Sequence, residues 1–123
     1  VTHAEVKKVV RALEIARARR PDLEIDGEMR PEMALDAERR REHYPFSKLT
    51  GNANVLVFPS LEAGNAGYQT LKALGGATTI GPIILGMAKP FAALPLDSTV
   101  EDIVNLTAYL VASAERARTN RAD

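Results

Sequence analysis

Hydrophobic positions in the first twenty residues recur at helical spacing: Val6, Val9, Val10, Leu13 and Ala16 fall on one face. Lys7, Lys8, Arg11 and Glu14 take the opposite face, and Thr2-His3-Ala4-Glu5 matches a capping box at the start. The helix is expected to stop before Pro21, because a residue preceding proline is pushed out of the α region. Leu23-Glu24-Ile25-Asp26 alternates and predicts a short strand closed by Gly27. Residues 37–43 predict a short charged helix, and Tyr44-Pro45-Phe46 opens a loop running to Gly51.

Two apolar runs follow, residues 53–58 and 78–85, bounded by Gly and Pro and too short for buried helices; both predict strands covered on two faces. Between them residues 60–76 have helical composition and end in Gly75-Gly76, a C-terminal stop. Strand, helix, strand at this spacing predicts a βαβ unit with parallel pairing and a right-handed crossover. Ser98-Thr99-Val100-Glu101 reads as a second capping box. Residues 103–114 are then apolar or small apart from Asn105, Thr107 and Ser113, so this last helix is expected to be buried on more than one side, against another domain or subunit. Three short strands and about four helices leave sheet edges uncovered, as expected of the C-terminal part of a longer α/β domain.

Composition narrows the function. Residues 1–48 carry 11 basic and 10 acidic side chains, residues 49–99 two of each, and the whole chain of 123 residues balances at 16 and 16. Zero net charge argues against a nucleic-acid or anionic-membrane binder. No apolar run approaches a membrane span, and a cytoplasmic setting is expected. The absence of cysteine excludes disulfides, a thiol nucleophile and cysteine-ligated metal.

Candidate chemistry is sparse. His3 and His43, the only histidines, have no partner at metal-ligand spacing and read as surface residues; no metal site is expected. There is no G-x-S-x-G elbow, Walker loop or G-x-G-x-x-G. Asp26-Gly27-Glu28-Met29-Arg30 is either a ligand site after a strand or a solvated turn. In Phe58-Pro59-Ser60-Leu61-Glu62-Ala63-Gly64-Asn65, helix-start N–H groups and Gly64 suit an anionic or carbonyl ligand, while capping by Ser60 and close helix packing explain the same residues. Gly81-Pro82-Ile83-Ile84-Leu85-Gly86-Met87-Ala88-Lys89-Pro90 turns twice, and Lys89 is a phosphate contact or a rim charge.

Taken in order, Asp26-Gly27-Glu28-Met29, Ala34-Leu35, Ala53-Asn54-Val55-Leu56-Val57-Phe58-Pro59, Leu61-Glu62-Ala63-Gly64-Asn65, Ile80-Gly81-Pro82-Ile83, Gly86, Ala88-Lys89-Pro90 and Glu101-Asp102-Ile103-Val104-Asn105 resemble the C-terminal part of the phosphate acetyl/butyryltransferase family. The resemblance implies a three-layer α/β/α fold with a mainly parallel sheet and two lobes, of which residues 1–123 form the C-terminal part. It implies acetyl-CoA or coenzyme A bound in the cleft, near Asn65, Gly81, Pro82, Lys89 and Asp102, and a homodimer or higher homo-oligomer formed through this half.

In transferase members, the stretch after Lys-Pro reads Leu-Ser-Arg-Gly, with the serine and arginine at the reacting thioester and phosphate. Here it reads Leu94-Pro95-Leu96-Asp97. Pro95 and Leu96 replace the reactive pair, so no catalytic residue is assigned; Asp102 keeps the acidic position without its arginine. Proline and leucine side chains can neither donate to nor neutralise an anion. That departure, with Tyr44-Pro45-Phe46-Ser47-Lys48-Leu49, is similar to the phosphotransacetylase-like C-terminal domain of bacterial NADP-dependent malic enzymes, an oligomerising acetyl-CoA sensor. In that case NADP, a divalent metal and malate decarboxylation belong to a malic-enzyme domain elsewhere in the parent chain. The alternative is an active phosphate acetyltransferase, and a third reading is a scaffold retaining only the dimer surface.

Overall fold

The structure, a computed structural model, describes residues 3–119 and divides into two compact units, residues 1–69 and 70–123. It holds five helices and one two-stranded antiparallel sheet among the described residues, a mixed helix and sheet composition consistent with an α/β domain. No helix there is long and apolar enough to cross a membrane.

In the first unit, α1 (Ala4–Arg19) ends at Arg20 as Pro21 requires. Its N-cap is His3, whose Nδ1 accepts from the Glu5 N–H at 3.3 Å; Thr2, placed first in the expected capping box, lies outside the described residues. Val6, Val9, Leu13 and Ala16 are half-buried, with Val10 more exposed at the edge of their face. A short helix, α2 (Pro31–Ala34), begins on a proline at its first turn, where a missing N–H costs nothing. Asp36 then caps α3 (Ala37–His43), accepting from the Arg39 N–H at 2.9 Å. Met33, Ala34 and Arg40 are the buried residues of this unit.

The division falls within α4 (Leu61–Gly75). Ser60 caps it, its Oγ accepting from the Ala63 N–H at 3.3 Å, and Gly76, at φ 57°, ends it in the left-handed region that glycine enters without a Cβ penalty. Gly67 is fixed by packing: a Cβ there would lie 2.8 Å from the tip of the Phe58 ring.

The second unit contains β1 (Ile83–Ile84), β2 (Phe91–Ala92) and α5 (Val100–Thr119), whose Leu106 is buried. The strands pair antiparallel, Ile83 with Ala92 and Ile84 with Phe91, and α5 packs on β2.

The sheet departs from the sequence expectation. Residues 23–26 and 53–58 are irregular, and of the run 78–85 only Ile83 and Ile84 join a strand. No parallel βαβ pairing occurs among the described residues; the single ladder is a hairpin. An apolar run specifies a strand only if another backbone completes its hydrogen bonds. Val55 and Val57, 71% and 90% exposed, have no ladder neighbour and little cover.

Candidate functional site

The expected site residues fall in both units. Asn65 lies exposed on α4 in the first; Gly81, Pro82, Lys89, Pro95, Leu96 and Asp102 lie in the second. In the second, the hairpin brings some of them together. The Ala93 N–H donates to the Pro82 carbonyl at 3.3 Å, extending the ladder by one step, so the Gly81–Pro82 turn borders the chain entering Leu94-Pro95-Leu96. The Gly81–Pro82 peptide bond is cis. Lys89 precedes β2, in the connection between the strands, whereas Pro95 and Leu96 follow it.

After β2 the chain turns into α5. The Ser98 N–H and hydroxyl both donate to the Pro95 carbonyl, at 3.2 and 2.6 Å. Ser98 is therefore a turn residue, and the cap moves one residue on. Asp102 Oδ2 accepts from the Thr99 N–H and hydroxyl, both at 2.9 Å, and the Thr99 Oγ1 accepts from the Asp102 N–H at 3.1 Å. The reciprocal capping box is Thr99…Asp102, not Ser98…Glu101. The Thr99 N–H, then its hydroxyl, hold the Asp102 carboxyl below the usual carboxylate range, helped by the charge of Lys72. Asp102 is thus occupied as a capping group at the helix start.

The charge around this turn bears on which ligands it accepts. From residue 81 to 102 the only cation is Lys89, against Asp97, Glu101 and Asp102. Leu96 is fully exposed at the position where the resemblance places an arginine. Lys89 is exposed, and the charged side chains that follow Pro95–Leu96 in the sequence, Asp97, Glu101 and Asp102, are all acidic.

The other candidates resolve toward structure. Asp26 is a hub: its Oδ1 accepts from the Gly27 N–H at 2.9 Å and Arg17 Nη2 at 2.8 Å, and its Oδ2 from the Ser47 hydroxyl and the Lys48 N–H, both at 2.8 Å. Burial pushes this carboxyl up, but those four donors outweigh it and leave it below its ordinary value. Arg30 pairs with Glu32 at 3.0 Å. At the start of α4, the Glu62 carboxyl is held low by its own N–H, the Ser60 hydroxyl and the charge of Lys8, and the Ala63 and Gly64 N–H groups are taken by the Ser60 hydroxyl and carbonyl oxygens. The described residues contain no cluster of three His, Asp or Glu side chains able to hold a metal ion.

Sequence reasoning missed Arg40, which is 1% exposed. Its Nη1 donates to the carbonyls of Met33 and Ala34 at 3.0 and 3.1 Å, its Nη2 to those of Leu49, at 3.4 Å, and Gly51. The signal was present: Met33, Ala37, Arg40 and Tyr44 recur at helical spacing, and all are buried or half-buried.

Comparison with known proteins extends this picture. The family model described as phosphate acetyl/butaryl transferase matches residues 1–111. A phosphate acetyltransferase of Clostridium acetobutylicum is 47% identical over 111 residues, covering 90% of this chain and 33% of its own length. The Bacillus subtilis phosphate acetyltransferase is 39% identical over 110 residues, 89% of this chain and 34% of its own. An NADP-dependent malic enzyme of Escherichia coli is 40% identical over 109 residues, 88% of this chain and 14% of its own length. The chain thus spans about a third of those phosphate acetyltransferases and a smaller share of the malic enzyme.

Proposed function

This chain belongs to the phosphate acetyl/butaryl transferase family, and on that premise we propose that it is part of a phosphotransacetylase-like domain that binds acetyl-CoA without transferring its acetyl group to phosphate. The single observation carrying this reading is the turn into α5, where Pro95 and an exposed Leu96 lie at the positions to which the resemblance assigns a hydroxyl and a guanidinium. Acyl transfer to phosphate develops negative charge that a preorganised cation stabilises by several kcal/mol. This turn offers none, and its carboxylates repel an incoming phosphate.

Binding does not need the reactive pair. Most of a coenzyme A molecule's surface is adenosine and pantetheine, and Lys89, on the strand connection beyond Gly81–Pro82, is available for one of its phosphates. The bound thioester would be a signal, and regulation follows only if two states of the protein bind it unequally. In this reading the full domain is the three-layer, two-lobed α/β/α fold, residues 53–58 join a parallel sheet completed by chain outside these 123 residues, and α5 lies in a subunit interface. In the same reading the setting is regulatory and cytoplasmic, with NADP and metal chemistry carried by a separate domain; the match to 14% of an NADP-dependent malic enzyme's length supports a domain within a longer chain.

An active phosphate acetyltransferase is the second reading, favoured by the 47% identity to the Clostridium enzyme against 40% to the malic enzyme. A coupled acetyl-transfer assay on the intact protein, with acetyl-CoA calorimetry on wild type and Lys89→Ala, separates the two. The first reading expects binding, weakened severalfold in Lys89→Ala, and no turnover. Turnover on the order of 10 per second establishes the second; absence of both binding and turnover leaves a scaffold.

A further inference from the structure

Residues 47–53 run beside residues 24–26 and α2 without a single ladder pair, held instead mainly by side chains. Two carboxylates hold the first half. Asp26 accepts from the Ser47 hydroxyl and the Lys48 N–H. Glu24 accepts from the Thr50 N–H and, at 3.1 and 3.0 Å, from the Thr50 hydroxyl. The remaining contacts are made by groups that keep their charge or have none: Arg40 on the Leu49 and Gly51 carbonyls, Asn52 Oδ1 on the Ala37 N–H at 2.7 Å, and the Ala53 N–H on the Ala34 carbonyl at 2.8 Å.

We propose that this segment is an acid-releasable strap, whose Ser47, Lys48 and Thr50 contacts let go when Glu24 and Asp26 are protonated while Arg40 keeps its hold on the Leu49 and Gly51 carbonyls and residues 52–53 stay pinned. A protonated carboxyl keeps fewer lone pairs for these donors and loses its charge, whereas a guanidinium does not titrate in this range. The charges acting on the pair are Arg17 of α1 on Asp26 and Arg40 of α3 on Glu24; both favour the ionised forms. The strap is therefore closed at neutral pH and opens only as pH falls below the ordinary carboxylate values of about 3.9 and 4.3.

The test is an NMR pH titration of the chain, following the amides of Lys48, Thr50, Ala37 and Ala53 with the side-chain carboxyl carbons of Glu24 and Asp26. The expected result is that Lys48 follows Asp26 and Thr50 follows Glu24, both before Ala37 and Ala53 move. Glu24→Gln, which preserves shape, should abolish the Thr50 transition, lower Thr50 amide protection at neutral pH about tenfold, and leave Lys48 titrating. Movement of all four amides in one transition overturns the proposal, as does a Thr50 titration that survives Glu24→Gln.

Discussion

The two units are built from different materials. In the first, residues 22–53 are tied by charged side chains that reach main-chain groups: Arg17, Glu24, Asp26 and Arg40 make nine such bonds. In the second, the side-chain bonds described above gather at the start of α5, and the hairpin, the chain after it and α5 display Leu85, Met87, Phe91, Leu94, Val104 and Val111 to solvent. Charge directed at specific carbonyls and amides can order a segment with almost no apolar core. An apolar hairpin and helix cannot reach their full stability until something covers them.

Four substitutions test that contrast. The largest effect is expected from Arg40→Met, which leaves four carbonyls without their buried donor. It should cost about 3 kcal/mol in a urea melt, with amide exchange rising in residues 33–53 and not in residues 100–119. Equal loosening of both stretches would erase the distinction.

Asp26→Asn should cost about 2 kcal/mol, since an amide cannot accept from four donors at once. The accompanying pH dependence has a fixed sign. The folded Asp26 and Glu24 carboxyls lie below their ordinary values, so their stabilisation is complete above the unfolded pKa and is lost as pH falls through the folded one. In Asp26→Asn, the stability lost on acidification, read by urea melts at several pH values, should shrink.

Thr99→Ala probes the second unit and should cost about 1 kcal/mol, seen as fraying of the first turn of α5 in amide exchange. The smallest effect is expected from Lys8→Ala. Its pair with Glu5, 2.5 Å apart and half-exposed on both sides, should contribute less than about 0.5 kcal/mol to the urea midpoint. A larger value would mean that charge in general, and not its aim at the main chain, stabilises the first unit.

Much of the helical architecture was legible in the sequence, because helices carry their own hydrogen bonds. The end of α1 before Pro21, the bounds of α3 and the Ser60 cap of α4 all follow from local signals. The strands were not, because a ladder depends on a partner elsewhere in sequence: residues 53–58 have strand composition and no ladder. At α5 two hydroxyls competed for one cap; Pro95 drew Ser98 into a turn, leaving the cap to Thr99. Arg40 escaped notice because a charged residue on a charged helix looks solvated unless its face is traced through Met33, Ala37 and Tyr44. Of the candidate site, Pro95 and Leu96 are read from the sequence alone, while the hairpin bond from Ala93 to Pro82 needs the fold.

The close approach of Phe58 to Gly67 has a consequence for how this sequence can drift. With a Cβ at 67 placed 2.8 Å from the ring, the two positions cannot vary independently. A methyl at 67 requires the ring to swing away, and a smaller side chain at 58 opens a void that only a larger residue at 67 can refill. Their substitution costs should therefore not add: Gly67→Ala and Phe58→Leu together should cost less than the sum of the two alone. Positions 58 and 67 form one unit of inheritance, and tolerated changes there should arrive as pairs.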